Sequence, residues 1–435
     1  MSTYGFYEIV VRVVRVLARA VAPFDGRVRH GLEVRRAAPS RLLEWSAASR
    51  NRSRPLFWLH APSVGEALMA QAIIERVRAA VPDSQIAFTW FSLSAERVAD
   101  RVGADVTACL PWDIRGDVRC ALDALSPDVI GFVRTEIWPV LQREARRRGT
   151  LTALVNAPLA EGSSRLRPLA RRFLAPAYGR LDAVGAVARA DADRLLRLGV
   201  RSDRLRVTGD ARVDQAVLRI EREPVPSALL DRLTEPGVAV VVAGSTWPAD
   251  EDRLLHVMRA LREDASRRVR WILAPHQPTA AHLRRLEDAL RTAGLGGVRL
   301  AEVERGSAPG DVVLVDRVGV LADLYRIASV AWVGGGFGDR GLHSVLEPAA
   351  LGVPAVYGPR LGSAREAESL ADAGGGFVAA DVAAMTERLR TLLDDGVAAA
   401  RAARAWMASE RGGAERNAAL LIELLEGSGR ASSGG

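Results

Sequence analysis

The chain contains no lysine: all 60 basic residues among its 435 are arginine. That excludes Schiff-base chemistry and the phosphate-gripping lysine of P-loop enzymes. Cysteine is scarce as well. Cys109 and Cys120 stand in no metal-ligand or redox spacing, which points to a reducing compartment. The six histidines form no HxH or HxxxH pair, so a zinc site has no support in the sequence. Basic residues outnumber acids only 60 to 52 and are spread along the chain, so the net charge of +8 does not point to a nucleic-acid partner.

What is present is an ordinary folded composition, 49% hydrophobic and 26% charged, long enough for two or three domains. The most apolar stretch, residues 4–22, is interrupted by Glu8, Arg12, Arg15 and Arg19 at helical spacings of four, three and four. Spanning a bilayer would bury those charges at roughly 2.5 to 3.5 kcal/mol per arginine. The pattern instead predicts an amphipathic N-terminal helix lying in a membrane interface, its arginines on anionic headgroups, with Arg27, Arg29, Arg35 and Arg36 continuing the charge. The alternative is a terminal helix packed on the protein's own surface.

From Pro55 onward short apolar runs alternate with helical stretches. Strands are predicted at 57–60, 86–90, 106–110, 129–133, 151–155 and 183–186. After a polar, Pro-containing segment they resume at 238–243, 271–274, 312–315, 330–333 and 355–357. The fold class is α/β, with two Rossmann-like domains facing a central cleft. The expected boundaries are a membrane-associating segment over 1–36, an acceptor domain over 37–220, a hinge over 221–236, a nucleotide-sugar domain over 237–424 and a disordered tail over 425–435. Ligands of such sheets sit at the strands' carboxyl ends, so the loops there carry the candidates.

After the first strand, Ser63 and Gly65 suit a tight turn, and Glu66 falls in the first helical turn. Glu66 is either a helix-terminal carboxylate or a general base. His60 is a second candidate base, or a structural hydrogen bonder. Glu136, just before Trp138-Pro139, either caps a helix or positions a substrate hydroxyl. In the second half, Gly244, Ser245 and Thr246 offer amides and hydroxyls to an anion, and His276 and Gln277 sit at another strand end. Gly334, Gly335 and Gly336 would let backbone approach a ligand, and Glu347 follows early in a helix. That pairing suits a sugar nucleotide, with the carboxylate on the ribose. Asp191-Ala-Asp193 has the DxD spacing of metal-dependent glycosyltransferases, but its arginine- and leucine-rich surroundings read as solvated helix surface.

At these residues the chain resembles the 3-deoxy-D-manno-octulosonic acid (Kdo) transferases of lipopolysaccharide synthesis. The resemblance runs over nearly the whole chain. It includes Ser63-Val64-Gly65-Glu66, Pro111-Trp112-Asp113, residues 134–139, Asn156, 207–214, 244–251, 316–336 and 343–354. It implies a GT-B enzyme on the cytoplasmic face of the inner membrane that moves Kdo from CMP-Kdo to a lipid A precursor, with inversion and with no metal or other cofactor. Carried over, Glu66 is the catalytic base. Gly335, Gly336 and Glu347 are nucleotide-site positions, and Ser245 and Thr246 lie in a cleft-facing loop. Beside these, Ser63, Gly65 and Glu136 are the candidates for the acceptor, and His276, Gln277, Gly334 and Ser344 complete those for the donor. The chain departs from the family pattern at Arg134, where a glutamate is usual, at His276-Gln277 in place of Arg-His, and at His343-Ser344-Val345. Other readings are a different sugar-nucleotide enzyme, such as a UDP-sugar 2-epimerase, or a non-catalytic membrane-bound binding protein.

Overall fold

The computed structural model describes residues 3–222, 227–264 and 267–428. They form two compact units, one from residues up to 215 together with those from 411 onward, the other from 216–410. In the first unit, β1 (Leu56–Ala61), β2 (Gln85–Trp90), β3 (Val106–Cys109), β4 (Val129–Val133), β5 (Leu151–Ala157), β6 (Ala183–Ala186) and β7 (Leu205–Val207) make one sheet. All its pairings are parallel, in the order β3-β2-β1-β4-β5-β6-β7. The second sheet holds β8 (Val238–Thr246), β9 (Arg268–Pro275), β10 (Gly297–Arg299), β11 (Val312–Leu314), β12 (Val330–Val333), β13 (Ala355–Tyr357) and β14 (Gly376–Val378). It too is parallel, in the order β10-β11-β9-β8-β12-β13-β14.

Central strands such as β1, β2 and β4 are buried along their whole length, as expected when helices cover a parallel sheet. That is why their apolar runs predict them. The three strands that the apolar pattern does not predict, β7, β10 and β14, are three residues long and lie at sheet edges. Edge strands need no continuous apolar run, so they leave no such signal.

The expected domain limits require correction. The segment read as a hinge contains the helix Ser227–Leu233, whose Leu229 and Leu233 are buried in the second unit's core. The helix Gly413–Gly427 packs on the first unit: a Cβ at Gly131 of β4 would meet Leu421 at 3.4 Å. Leu425 is buried there, so the tail does not start at 425. Residues 223–226 of the hinge and 429–435 of the tail lie outside the described residues. Position 36 is no boundary either, because it falls inside the helix Gly26–Ser49.

The N-terminal helix Thr3–Val21 is present, and two residues of its charged stripe, Glu8 and Arg15, are turned toward the protein while Arg12 and Arg19 stay exposed. Glu8 is buried and accepts the Arg115 amide at 3.1 Å, and Arg15 reaches Asp117 at 3.2 Å. Ile9, Val13, Val16 and Leu17 are 48–62% exposed. The stripe expected to meet headgroups is thus partly spent on the protein, because the helix N-terminus at Arg115 and the Asp117 carboxylate offer nearer partners. Among the described residues no helix is long and apolar enough to cross a membrane.

Candidate active site

In each sheet the strand order reverses once, between β1 and β4 and between β8 and β12. Connections leave such a switch point in opposite directions and open a crevice beyond the strands' carboxyl ends. Glu66 follows β1 and Glu136 follows β4. Ser245 ends β8, and the loop carrying His343, Ser344 and Glu347 follows β12.

Glu66 lies in the first turn of the helix Val64–Ala80, whose N-cap is Ser63. Neither side chain caps the helix. The Ser63 hydroxyl donates to one oxygen of Glu66, and the Arg134 guanidinium stands 3.7 Å from the other. The carboxylate, 16% exposed, is held on two sides and open on a third. Gly65 has no positive φ, and a Cβ there would meet nothing within 4 Å, so the expected tight turn does not explain it. It leaves open space beside Glu66.

Arg134 has φ +72°, Asn156 at the end of β5 has +52°, and Ser245 has +53°. Left-handed backbone is costly for residues with a Cβ and gathers at functional sites. Asn156 is anchored on both sides: its amide donates to Asn417 Oδ1 at 2.8 Å, and its Oδ1 accepts the Ala211 amide at 2.8 Å.

Glu136 does not cap the helix Pro139–Arg147. Buried Asp113 does so, accepting the amides of Val140 and Leu141 at 3.0 and 2.8 Å. Burial lifts the Asp113 carboxyl to about 6 against those bonds. Glu136 is left free; burial raises its pKa, Arg165 opposes that, and Glu66 adds to it. The two carboxylates therefore share one field. His60 is wholly buried, with Nδ1 on the Thr89 hydroxyl at 3.0 Å and its pKa pushed down to about 3 by desolvation. A ring sealed in the core cannot reach a substrate hydroxyl, which leaves the structural reading.

The second unit has a pocket of about 340 Å³ at its switch point, lined among others by Arg219, Ser245, His276, Arg317, His343, Ser344 and Glu347. Arg219 Nη1 holds Glu347 Oε1 at 2.7 Å, while burial raises the Glu347 pKa. His276 and His343 stack at 4.3 Å, and Trp247 Nε1 donates to His343 Nε2 at 2.9 Å. A ring nitrogen that accepts a hydrogen bond carries no proton, so His343 is neutral with its proton on Nδ1. Desolvation, with His276 beside it, pushes its pKa down to about 4.

Several expected donor residues are placed elsewhere. Thr246 is buried and donates to Glu251 at 3.0 Å, and Gln277 is exposed outside the pocket lining. The glycine run is buried and serves the protein's own packing. A Cβ at Gly334 would lie 2.4 Å from the Ser245 carbonyl oxygen, and one at Gly336 would lie 2.6 Å from the Gly358 amide nitrogen. The Gly335 amide is taken by Asp250 at 2.9 Å. Asp193 is exposed as expected, but Asp191 is buried and accepts the Leu159 amide at 2.7 Å, which corrects its reading as helix surface. Among the described residues no three His, Cys, Asp or Glu side chains gather as a metal-binding group.

Arg219, Arg317 and Trp247 were not candidates from the sequence. Arg219 precedes the expected hinge, and nothing local marks it; only the fold brings it to Glu347.

Residues 36–215 match the family model described as 3-deoxy-D-manno-octulosonic-acid transferase (kdotransferase). The chain is 29% identical over 332 residues to a 3-deoxy-D-manno-octulosonic acid transferase of Chlamydophila psittaci, covering 74% of each chain. It is 28% identical over 386 residues to the Bordetella pertussis enzyme of the same name, covering 85% of this chain and 87% of the other. Among solved structures, a putative UDP-N-acetylglucosamine 2-epimerase of Listeria monocytogenes superposes with TM-score 0.61 at 11% identity, covering 88% of this chain and 98% of that one. The UDP-GlcNAc 2-epimerase of Neisseria meningitidis gives 0.60 at 13%, covering 86% and 100%. At such identities the likeness is one of fold.

Proposed function

We propose that the chain is a member of the 3-deoxy-D-manno-octulosonic acid (Kdo) transferase family, as the match over residues 36–215 and the relatives at 28–29% identity support, and that it transfers Kdo from CMP-Kdo to a lipid A precursor, with Glu66 as general base. The observation that carries this reading is the Glu66 carboxylate itself. It stands at the switch point of the first sheet, relieved of helix capping, steadied by Ser63 and Arg134, with open space at Gly65. In the proposed step Glu66 takes the proton of an acceptor sugar hydroxyl. The oxygen bonds to the anomeric carbon of Kdo while the bond to the CMP phosphate breaks on the opposite face, and the configuration inverts. Glu136 orients the acceptor.

On the donor side, Glu347 takes the ribose hydroxyls. Arg219, beside Glu347, and the Ser245 hydroxyl take the phosphate, while Arg317, whose guanidinium is held by Glu304, adds positive charge at the pocket wall, so the departing charge is met without a metal. This assignment replaces the glycine amides, since Gly335 already bonds Asp250. The exposed apolar face of the N-terminal helix lies in the membrane interface, at the cytoplasmic face of the inner membrane where the acceptor resides.

Incubation with CMP-Kdo and a tetra-acylated lipid A precursor, read by product mass, tests the reading. Glu66→Gln keeps the shape and the Ser63 bond but loses basicity. Transfer is expected to fall by about 10²–10⁴-fold with CMP binding retained; full activity in that variant would refute the base assignment.

A further inference from the structure

A second cavity, of about 740 Å³, lies in the first unit where the helices Thr3–Val21 and Gly26–Ser49 meet Trp112 and Asp117. Five arginines line it, Arg15, Arg19, Arg29, Arg35 and Arg36, against two acids, Glu33 and Asp117. Asp117 is engaged by Arg15 at 3.2 Å, and Glu33 lies 4.0 Å from His30. Arg19 shares the field of the Asp117 carboxylate with Arg15, and among the described residues the guanidinium groups of Arg29 and Arg36 have no hydrogen-bonded or ion-paired partner.

Arg35 forms a half-buried wall of this cavity. It donates to the Phe91 carbonyl at 2.9 Å and stacks over Phe91 at 4.3 Å and Trp112 at 5.2 Å, with no carboxylate paired to it among the described residues. Removing a cation from water without a counter-charge is unfavourable, and here the aromatic faces and one carbonyl offset only part of that cost. The cavity thus gathers more positive charge than its two acids can neutralise. The helix Thr3–Val21, which lends Arg15 and Arg19 to the lining, also carries the exposed apolar residues Val13, Val16 and Leu17.

We propose that this cavity is a phosphate-binding site, set to take the phosphodiester of an anionic lipid headgroup while the neighbouring helix face meets the acyl layer. Planar guanidiniums pair phosphate oxygens two at a time, and three of the five arginines here, Arg29, Arg35 and Arg36, have no carboxylate acting on them among the described residues. The volume suits a headgroup-sized ligand. The inference rests on the membrane attachment proposed above and is independent of Kdo transfer. It assigns the arginines of the N-terminal segment to one site rather than to a diffuse surface charge.

The test is co-sedimentation of the full chain with phosphatidylcholine vesicles and with vesicles holding phosphatidylglycerol, alongside titration with inorganic phosphate. The triple variant Arg19→Gln/Arg29→Gln/Arg36→Gln is compared with Arg19→Lys/Arg29→Lys/Arg36→Lys, and with a control triple at exposed Arg189, Arg201 and Arg268. The expected result is that phosphatidylglycerol raises binding and that the glutamine triple loses about tenfold or more of that gain. Binding to phosphatidylcholine through the apolar face stays unchanged, the control triple keeps most of the gain, and the lysine triple, which keeps the charge but loses the two-point pairing, keeps only part of it. Saturable phosphate binding in solution that the glutamine triple abolishes, without any lipid preference, also supports the site and identifies free phosphate as the source; membrane attachment then fails separately. Equal losses in the pocket and control triples, or no response to either probe, would overturn the proposal. Matching circular dichroism spectra show that the variants are folded.

Discussion

Arg134 bonds its own amide to the Val155 carbonyl while its φ of +72° keeps the guanidinium beside Glu66. The geometry costs stability and serves the carboxylate. Arg134→Gly should therefore leave the unfolding free energy of the first unit unchanged or raise it by up to about 1 kcal/mol in denaturant unfolding, while lowering transfer; a loss of both would mean that the ion pair is mainly structural. The histidines make a pH prediction with a definite sign. His343 and His60 titrate near 4 and 3 in the fold, against an ordinary value of 6.5. Between those values and 6.5 the unfolded chain binds more protons, so their contribution is fully present above pH 6.5 and is lost as pH falls toward 4 and 3. Thermal melts from pH 7 to 4 should drop more steeply for the native chain than for His343→Asn. Parallel curves would place that ring in water.

At the scale of elements, capping by a distant residue decides the candidate site. Asp113 lies 27 positions before Val140 in the chain yet closes the N-terminus of the helix Pro139–Arg147. Asp113→Ala should cost about 1–2 kcal/mol in denaturant unfolding and loosen the loop that bears Glu136; an unchanged midpoint would argue that Glu136 caps after all. The N-terminal helix is the other such element. Because Glu8 and Arg15 dock on the protein while its apolar side chains face outward, a chain starting at Arg27 should shift from membrane to soluble fractions and expose Arg115 and Asp117. Partition that does not change would point to attachment elsewhere.

For the whole molecule, the consequence is that the first unit is closed by residues from the far end of the chain. Asn417, fully buried, accepts the Asn156 amide and the Thr208 hydroxyl and donates to the Gly413 carbonyl at 2.7 Å. A Cβ at Gly185 would fall 2.5 Å from its Oδ1, so the contact also explains that glycine. A chain ending at 410 should lose the cooperative melt of the first unit, while the fragment 216–410, whose core draws on its own residues, folds and binds CMP by calorimetry. Loss of CMP binding in that fragment would show that the donor site needs more than the second unit.

Eleven strands, the division into two α/β halves, the N-terminal helix and the resemblance to Kdo transferases were legible from residue order alone. Runs buried on both faces must be apolar throughout, and motifs such as residues 63–66 are contiguous. The remainder depended on residues far apart in the chain: which acids cap helices and which stay free, why Gly334 and Gly336 carry no side chain, which way the N-terminal stripe points, and that Arg219 meets Glu347. These are matters of burial and of non-local hydrogen bonding, set by packing partners tens to hundreds of positions away, and no local pattern encodes them.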